Sequence, residues 1–325
     1  MPGTTSIVIL ASSSIAGAAL FFTAGCGQRQ REIDLYVDAV MLRELGKNEQ
    51  AIEMLNEAVR SKREFPEAYS LLGETYYDIK AYDKSAASYE RAVELNPWSF
   101  KDHFTLGKIY QTMKKLPQAA KAYSRACELD PDHLEAHIST AKCCFQLKDF
   151  DKALSYAQRA EQINPNASEV QLVLADIYES RTDYDQAIES YKRALARDRN
   201  NPQIMICLAG AYVKTERYGN AKELLTLLAR IQPGDGTAYR YLGYCHLKLD
   251  EVDQAVQSYS KAVEIDDRDW QAHKGLGVAY MLKARHGQDE RLRLRAVEHW
   301  RVSLNIEPNQ PGREMLLELI RKHTK

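Results

Sequence analysis

The chain has 325 residues, with 44 Lys and Arg against 45 Asp and Glu, a net charge of −1. The balance excludes the broad basic field that nucleic-acid binding needs, and only 10 Pro and 16 Gly exclude long structureless linkers. Tyr is over-used, at 19 against 7 Phe and 3 Trp, and that excess needs a cause.

The first thirty residues stand apart. Residues 7–22 carry no charge, and Ala24, Gly25 and Cys26 follow. The run is short for a bilayer span and Ser12, Ser13 and Ser14 weaken its middle. It suits the apolar core of a secretory signal ending at a small-residue processing site. This end resembles the lipobox of bacterial lipoproteins, where small residues precede a Cys that becomes the first mature residue and carries acyl chains. The resemblance makes 1–25 a signal peptide, Cys26 the lipidation site and 26–31 a short spacer. It implies a cell-envelope protein facing the periplasm or exterior, and Gly27 in place of Asp favours the outer membrane of a Gram-negative host. Two features depart from the pattern: Thr23 stands where Leu is usual, and "MPGTTS" lacks Lys and Arg. Arg29 and Arg31 after the apolar run keep open an uncleaved anchor with the body in the cytoplasm.

From residue 32 the sequence repeats. Gly73 and Gly107 lie 34 apart, as do Tyr76 and Tyr110, Tyr89 and Tyr123, Ala92 and Ala126, and Pro97 and Pro131. The register continues through Ala153, Ala160 and Pro165, through Tyr178, Ala187 and Tyr191, and through Leu242, Gly243, Ala255 and Tyr259. This pattern resembles the tetratricopeptide repeat, two antiparallel helices A and B per unit. Eight units fill 32–310, starting near 32, 66, 100, 134, 168, 202, 236 and 270, the last with a seven-residue insertion. Small residues mark where helices cross closely, Tyr fills the gap between units, and Pro stops helix B. Inside the insertion, Gly287 reads as the end of helix A and Asp289 as the N-cap of helix B. Residues 311–325 read as a capping helix with Met315, Leu316, Leu319 and Ile320 on its apolar face. The fold class expected is all-α, a right-handed α-solenoid. The first unit, with Asp38 where others have Leu, reads as a solvent-facing end.

Chemistry is sparse. The sequence has no phosphate-binding glycine loop, no nucleophile elbow and no metal-ligand spacing. His133 and His137 read as turn and packing residues, and Cys127, Cys143, Cys144, Cys207 and Cys245 as small hydrophobes. No cofactor, metal or small-molecule substrate is expected, and the chain is not expected to be an enzyme.

The resemblance places positions 2, 5, 9, 12 and 13 of each unit on a concave face. A middle patch then gathers Lys101, Phe104, Lys108, Lys142 and Phe145, with both aromatics exposed, between acidic units. A C-terminal patch gathers Arg240, Tyr244, Lys248 and Lys274. Cations beside aromatics suit an extended or helical peptide bearing acidic groups. The residues needed for the chaperone-tail carboxylate clamp, and for the asparagine ladder of glycosyltransferase-associated repeats, are absent. The expected function is a membrane-tethered, non-catalytic adaptor that holds a protein or peptide partner. Lipoproteins of this kind assist pilus secretins, outer-membrane proteins or cell-wall complexes. The alternatives are a cytoplasm-facing anchored scaffold, or the recruiting module of a separately encoded enzyme.

Overall fold

A computed structural model describes residues 31–324, apart from the side chains of 286 and 287. Among the described residues there are helices and turns and no strand. The first helix, α1, covers 31–44. Helices of type A follow as α3 (Pro66–Asp78), α5 (Phe100–Thr112), α7 (Leu134–Gln146), α9 (Ser168–Ser180), α11 (Pro202–Lys214), α13 (Gly236–Lys248) and α15 (Trp270–Gly287). Type B helices alternate with them as α2 (Asn48–Ser61), α4 (Tyr82–Leu95), α6 (Leu116–Leu129), α8 (Phe150–Ile163), α10 (Tyr184–Arg197), α12 (Tyr218–Ile231), α14 (Val252–Ile265) and α16 (Glu290–Ile306). A last helix, α17 (Arg313–His323), closes the chain.

Local sequence explains the boundaries. Ser99, Asn201, Asp235 and Asp269 precede helices A, and their side chains accept first-turn backbone N–H groups, which have no intrahelical partner. Every A-to-B turn before the last is built around one left-handed residue. These are Gly46, Lys80, Lys114, Lys148, Thr182, Glu216 and Asp250, all at φ between 58° and 73°. At Lys80 the turn closes by Lys80 N–H to Tyr77 O and Ala81 N–H to Tyr76 O, both 2.9 Å, which satisfies carbonyls left over at the helix end.

The last pair differs. α15 has 18 residues where the A helices α3 to α13 have 13, and α16 has 17 where other B helices have 14. Its left-handed residue is Gln288, one past Gly287, and Asp289 caps α16 by accepting from Arg291 and Leu292 N–H.

The chain clusters into two compact bodies that divide within α8, between Tyr156 and Ala157. In the first, Tyr89 and Tyr123 are fully buried with Ala86, Ala119 and Ala126. In the second, Tyr191 sits among Ala175, Ala187, Ala194 and Leu208. The small residues admit the rings. A Cβ added to Gly73, Gly107, Gly243 or Gly277 would come within 2.4–2.6 Å of Tyr89, Tyr123, Tyr259 or Trp300 respectively. Tyr259 also meets Gly275 of the next pair, so the ring fills the space between units and accounts for much of the Tyr excess. α17 lays Leu316 and Ile320 on Trp300, Val297 and Met281. Met315, expected on that face, is 63% exposed, because it lies about 100° around the helix from Leu316, away from the face that Leu316 and Ile320 turn to α15 and α16.

A second periodic contact ties successive units. The side-chain nitrogens of His103, His137, Gln171 and His273 lie 3.0–3.3 Å from the carbonyls of Pro97, Pro131, Pro165 and Asp267, six residues earlier. The histidines expected to be structural therefore hold the inter-unit turn. His133 caps α7 through Nδ1, 3.2 Å from Ala136 N, and its ring packs on Phe100 and Phe104.

Candidate functional site

The A helices carry the residues named from the sequence. Most of the cations turn out to be engaged. Lys101 Nζ is 2.6 Å from Glu74, which also meets Arg43 at 2.7 Å, and Arg43 reaches Asp78 at 2.9 Å. Lys108 Nζ is 3.0 Å from Glu135 and 4.4 Å from the centre of the Phe104 ring. Lys142 is half-buried and is not free. Phe104 is 8% exposed, enclosed by Phe100, Tyr123 and His133, and Phe145 is half-buried against Phe150. The middle patch is therefore an ion-paired surface and not an open basic site. The expected exposure of its two aromatics is corrected: a large ring at this position turns into the layer between units to bury its area.

The pairing follows a rule that the sequence contained. Position 9 of one unit meets position 2 of the next, so Glu74 pairs with Lys101 and, with signs reversed, Lys108 pairs with Glu135. Position 12 meets position 13 of the next, as in Arg43 with Asp78 and Glu179 with Lys214, the latter at 2.7 Å. Exposed pairs of this kind add about 0–1 kcal/mol each. Their larger effect is to withdraw charge from any partner.

The C-terminal patch divides. Arg240 Nε is 2.8 Å from Asp269, and its Nη1 donates to Gln271. Lys274 Nζ donates to the Pro311 carbonyl at 2.7 Å, fastening the segment that leads into α17. Lys248 is placed differently. Its ammonium lies 5.8 Å from the Tyr218 ring centre and 5.5 Å from that of Tyr244, and the two rings meet edge-on at 6.1 Å. Lys248 occupies the register position of Lys214, but the residue equivalent to Glu179 is Val213. Among the described residues no carboxylate reaches the Lys248 ammonium. Tyr244 and Lys248 are both exposed, so this cluster offers one cation and two ring edges to solvent.

One further cluster escaped the sequence reading. Glu251 is held by Lys222 at 2.6 Å and His246 at 2.5 Å, and these two partners lower its pKa. The three line a shallow groove with Arg230, Thr226 and Leu227. The five cysteines among the described residues are free and, Cys207 apart, buried. Burial pushes the thiols of Cys127, Cys143 and Cys245 up to about 11, which leaves little thiolate for chemistry. Cys127 Sγ lies 3.4 Å from Thr140 Oγ1. Among the described residues no His, Cys, Asp and Glu group is placed to hold a metal, and no helix is long and apolar enough to cross a membrane. Cys26 lies outside the described residues.

Comparison with known families gives tetratricopeptide repeat models matching residues 66–97, 104–168, 180–243 and 241–269, and a further TPR repeat model matching 41–80. The chain is a tetratricopeptide repeat protein. No curated protein matches it. Among solved structures, the tetratricopeptide repeat (TPR) protein YrrB, described as having an unusual peptide-binding site, aligns with TM-score 0.52 at 22% identity, over 63% of this chain and 100% of that one. A TPR protein from Parabacteroides merdae aligns with TM-score 0.50 at 17% identity, over 77% and 99%. PilF of Pseudomonas aeruginosa aligns with TM-score 0.50 at 19% identity, over 64% and 94%. At these identities the likeness is one of fold. Repeats of this fold make protein-interaction scaffolds, and that is the class of activity the chain belongs to.

Proposed function

We propose that the protein is a non-catalytic, membrane-tethered adaptor that holds a peptide segment of a partner on the A-helix face of its second body. The carrying observation is Lys248, a cation over Tyr218 and Tyr244 with no carboxylate attached, where neighbouring cations are ion-paired. An acidic segment with an apolar or aromatic residue gains a charge partner and ring contacts there. The peptide-binding description of YrrB supports this class of ligand. The uncharged run 7–22 followed by Ala24, Gly25 and Cys26 supports tethering by acyl chains on Cys26. A tether raises the effective concentration of the repeats near membrane partners and suits assembly of an envelope complex.

The test is a crosslinking pull-down from membranes. Wild type is compared with Lys248→Glu, with Lys108→Glu/Lys142→Glu and with Cys26→Ala. Lys248→Glu is expected to lose a partner that the other charge reversal keeps. Retention of every partner by Lys248→Glu removes the site, and membrane retention of Cys26→Ala removes the lipid anchor. The residues Arg29 and Arg31 after the apolar run favour the second reading, an uncleaved anchor with the body in the cytoplasm. Protease digestion of intact cells separates the two.

A further inference from the structure

The outer side of α1 is unlike that of any other A helix. Ile33, Val37, Met41 and Leu45 recur every four residues and are 50%, 41%, 57% and 71% exposed. They form one stripe about 18 Å long. In the later units the positions of Asp34, Asp38 and Met41 are buried and that of Val37 is buried or half-buried, whereas those of Ile33 and Leu45 stay largely open, as at Lys101 and Glu135 and at Ile79 and Leu147, the last two 40% exposed. The position of Met41 is held by Thr75, Ile109, Ile177, Ala211 and Cys245, all fully buried. The position of Asp38 is held by Leu72, Leu106, Leu174 and Leu208, each 5% exposed or less. Asp34 and Asp38 themselves are exposed. α1 therefore presents the stacking surface of the repeat with no helix before it among the described residues. It keeps the apolar residues but places two carboxylates where the rest of the chain has mostly apolar side chains.

Those carboxylates select the occupant. A second copy meeting this face about a two-fold axis brings Asp34, Asp38 and Glu44 toward their own equivalents, which costs energy. The same charges repel an anionic bilayer. A helix that is apolar or small along one stripe, with bases on its flank, meets both requirements. It continues an interface that the fold repeats at α2–α3, α4–α5, α6–α7, α10–α11, α12–α13 and α14–α15, and it gains charge partners for Asp34 and Asp38.

We propose that the outer face of α1 docks an amphipathic helix of a partner protein, laid in the register of a preceding B helix, with its Lys or Arg side chains against Asp34 and Asp38. The site is separate from the Lys248 cluster and does not depend on the tether.

The probe is a fluorescent, hydrocarbon-stapled peptide of the α10 sequence, residues 184–197, stapled because an isolated helix of that length is marginal in water. In the stack this helix buries Ala187, Tyr191 and Ala194, and it carries Lys192, Arg193 and Arg197. Fluorescence anisotropy with the full chain is expected to show saturable, salt-sensitive binding in the micromolar range. Val37→Glu/Met41→Glu and Asp34→Lys/Asp38→Lys should each weaken it about tenfold or more, while Lys248→Glu leaves it unchanged. The substituted side chains are exposed, so circular dichroism and the melting temperature should stay those of wild type. Binding that is absent, or indifferent to both double variants, overturns the proposal. So does a dimer in sedimentation that Val37→Glu/Met41→Glu abolishes, which assigns the face to a second copy. Stripe-dependent recruitment of Cys26→Ala to phosphatidylcholine vesicles assigns it to lipid and overturns it equally. Binding seen solely after removal of residues 1–25 assigns the face to the chain's own N-terminal segment, and the proposal falls in that case too.

Discussion

Gly107 lies flat against the ring of Tyr123, so closely that a Cβ on Gly107 would stand 2.6 Å from Cδ1. The same two positions covary along the chain. Gly faces Tyr or Trp in the pairs 73/89, 107/123, 243/259 and 277/300, whereas Ala39 and Ala209 face Leu55 and Leu225, and the register positions 141 and 157 both hold Ala. Only the pair of Ala175 with Tyr191 departs from this. Gly107→Ala should therefore cost about 1–3 kcal/mol by overpacking, although Ala is ordinarily the better helix former. Leu225→Tyr should destabilise likewise, and Ala209→Gly should restore part of the loss. Urea unfolding of the four proteins measures the coupling, and additive effects would refute the pairing.

The left-handed turns give a prediction of opposite sign. Lys114 and Lys148 hold φ of 58° and 62°, a conformation that costs a residue with a Cβ about 1–2 kcal/mol. Glycine removes that cost but loses about 0.5–1 kcal/mol through the freedom of the unfolded chain. Lys114→Gly should raise stability by a few tenths to about 1 kcal/mol. Lys114→Val should lower it, since a β-branched residue tolerates this region least. Thermal melts of both variants read the difference.

Two buried tyrosines should respond differently to loss of their hydroxyl. The Tyr89 hydroxyl is enclosed without a hydrogen-bond partner, whereas the Tyr191 hydroxyl lies 2.9 Å from both Asp176 Oδ1 and Glu179 Oε2. Burial, and then these two carboxylates, raise the Tyr191 pKa, so it stays a neutral donor. Tyr89→Phe should be neutral or stabilising, because it removes an unsatisfied polar atom. Tyr191→Phe should cost about 1–3 kcal/mol, since a hydrogen bond to a charged acceptor is lost. Equal effects in denaturant titrations would contradict the assignment.

His299 should make the last pair acid-sensitive. Its Nδ1 is 3.0 Å from His273 Nδ1, and its ring stacks 5.7 Å from that of Tyr280. Burial, then His273, and to a smaller degree Arg295, hold its pKa below the ordinary value, against a small opposing pull from Glu298. The folded protein thus resists a proton that the unfolded chain accepts near the usual His pKa of about 6.5. Stability from this site is complete above about 6.5 and declines as the pH falls through and below it. The melting temperature should drop between about pH 7 and pH 5, and His299→Gln should flatten that slope. An unchanged slope in His299→Gln would remove His299 as the cause.

The repeat, the helical class and the reason for the tyrosines were legible in the sequence because packing imposes them every 34 residues. Charges were harder. Lys101 and Lys108 looked like a basic patch when each unit was read alone. Their partners, Glu74 and Glu135, lie in the adjacent units, and the match between positions 9 and 2 emerges when units are compared pairwise. Phe104 was misplaced because its register position allows either face, and the rings of Tyr123 and His133 decide which. Lys248 was named among nine groove residues, but what distinguishes it is Val213, an apolar residue standing where an acid would neutralise it. The α1 stripe was read as a solvent-facing end from Asp38; its four apolar residues become visible as a face when exposure is known.

The lengthened helices α15 and α16 fall in the terminal pair, which is bordered by α14 on one side and by α17 on the other. In a one-dimensional array each internal pair is clamped between two full pairs, so a projecting hairpin there must clear both. At the end of the array the overhang, about 7 Å on the α15 side, has fewer obstacles. Extra chain grafted beside Gln288, such as a reporter or a crosslinking handle, should therefore leave all earlier intervals undisturbed, whereas the same graft at Lys148 would shear two of them.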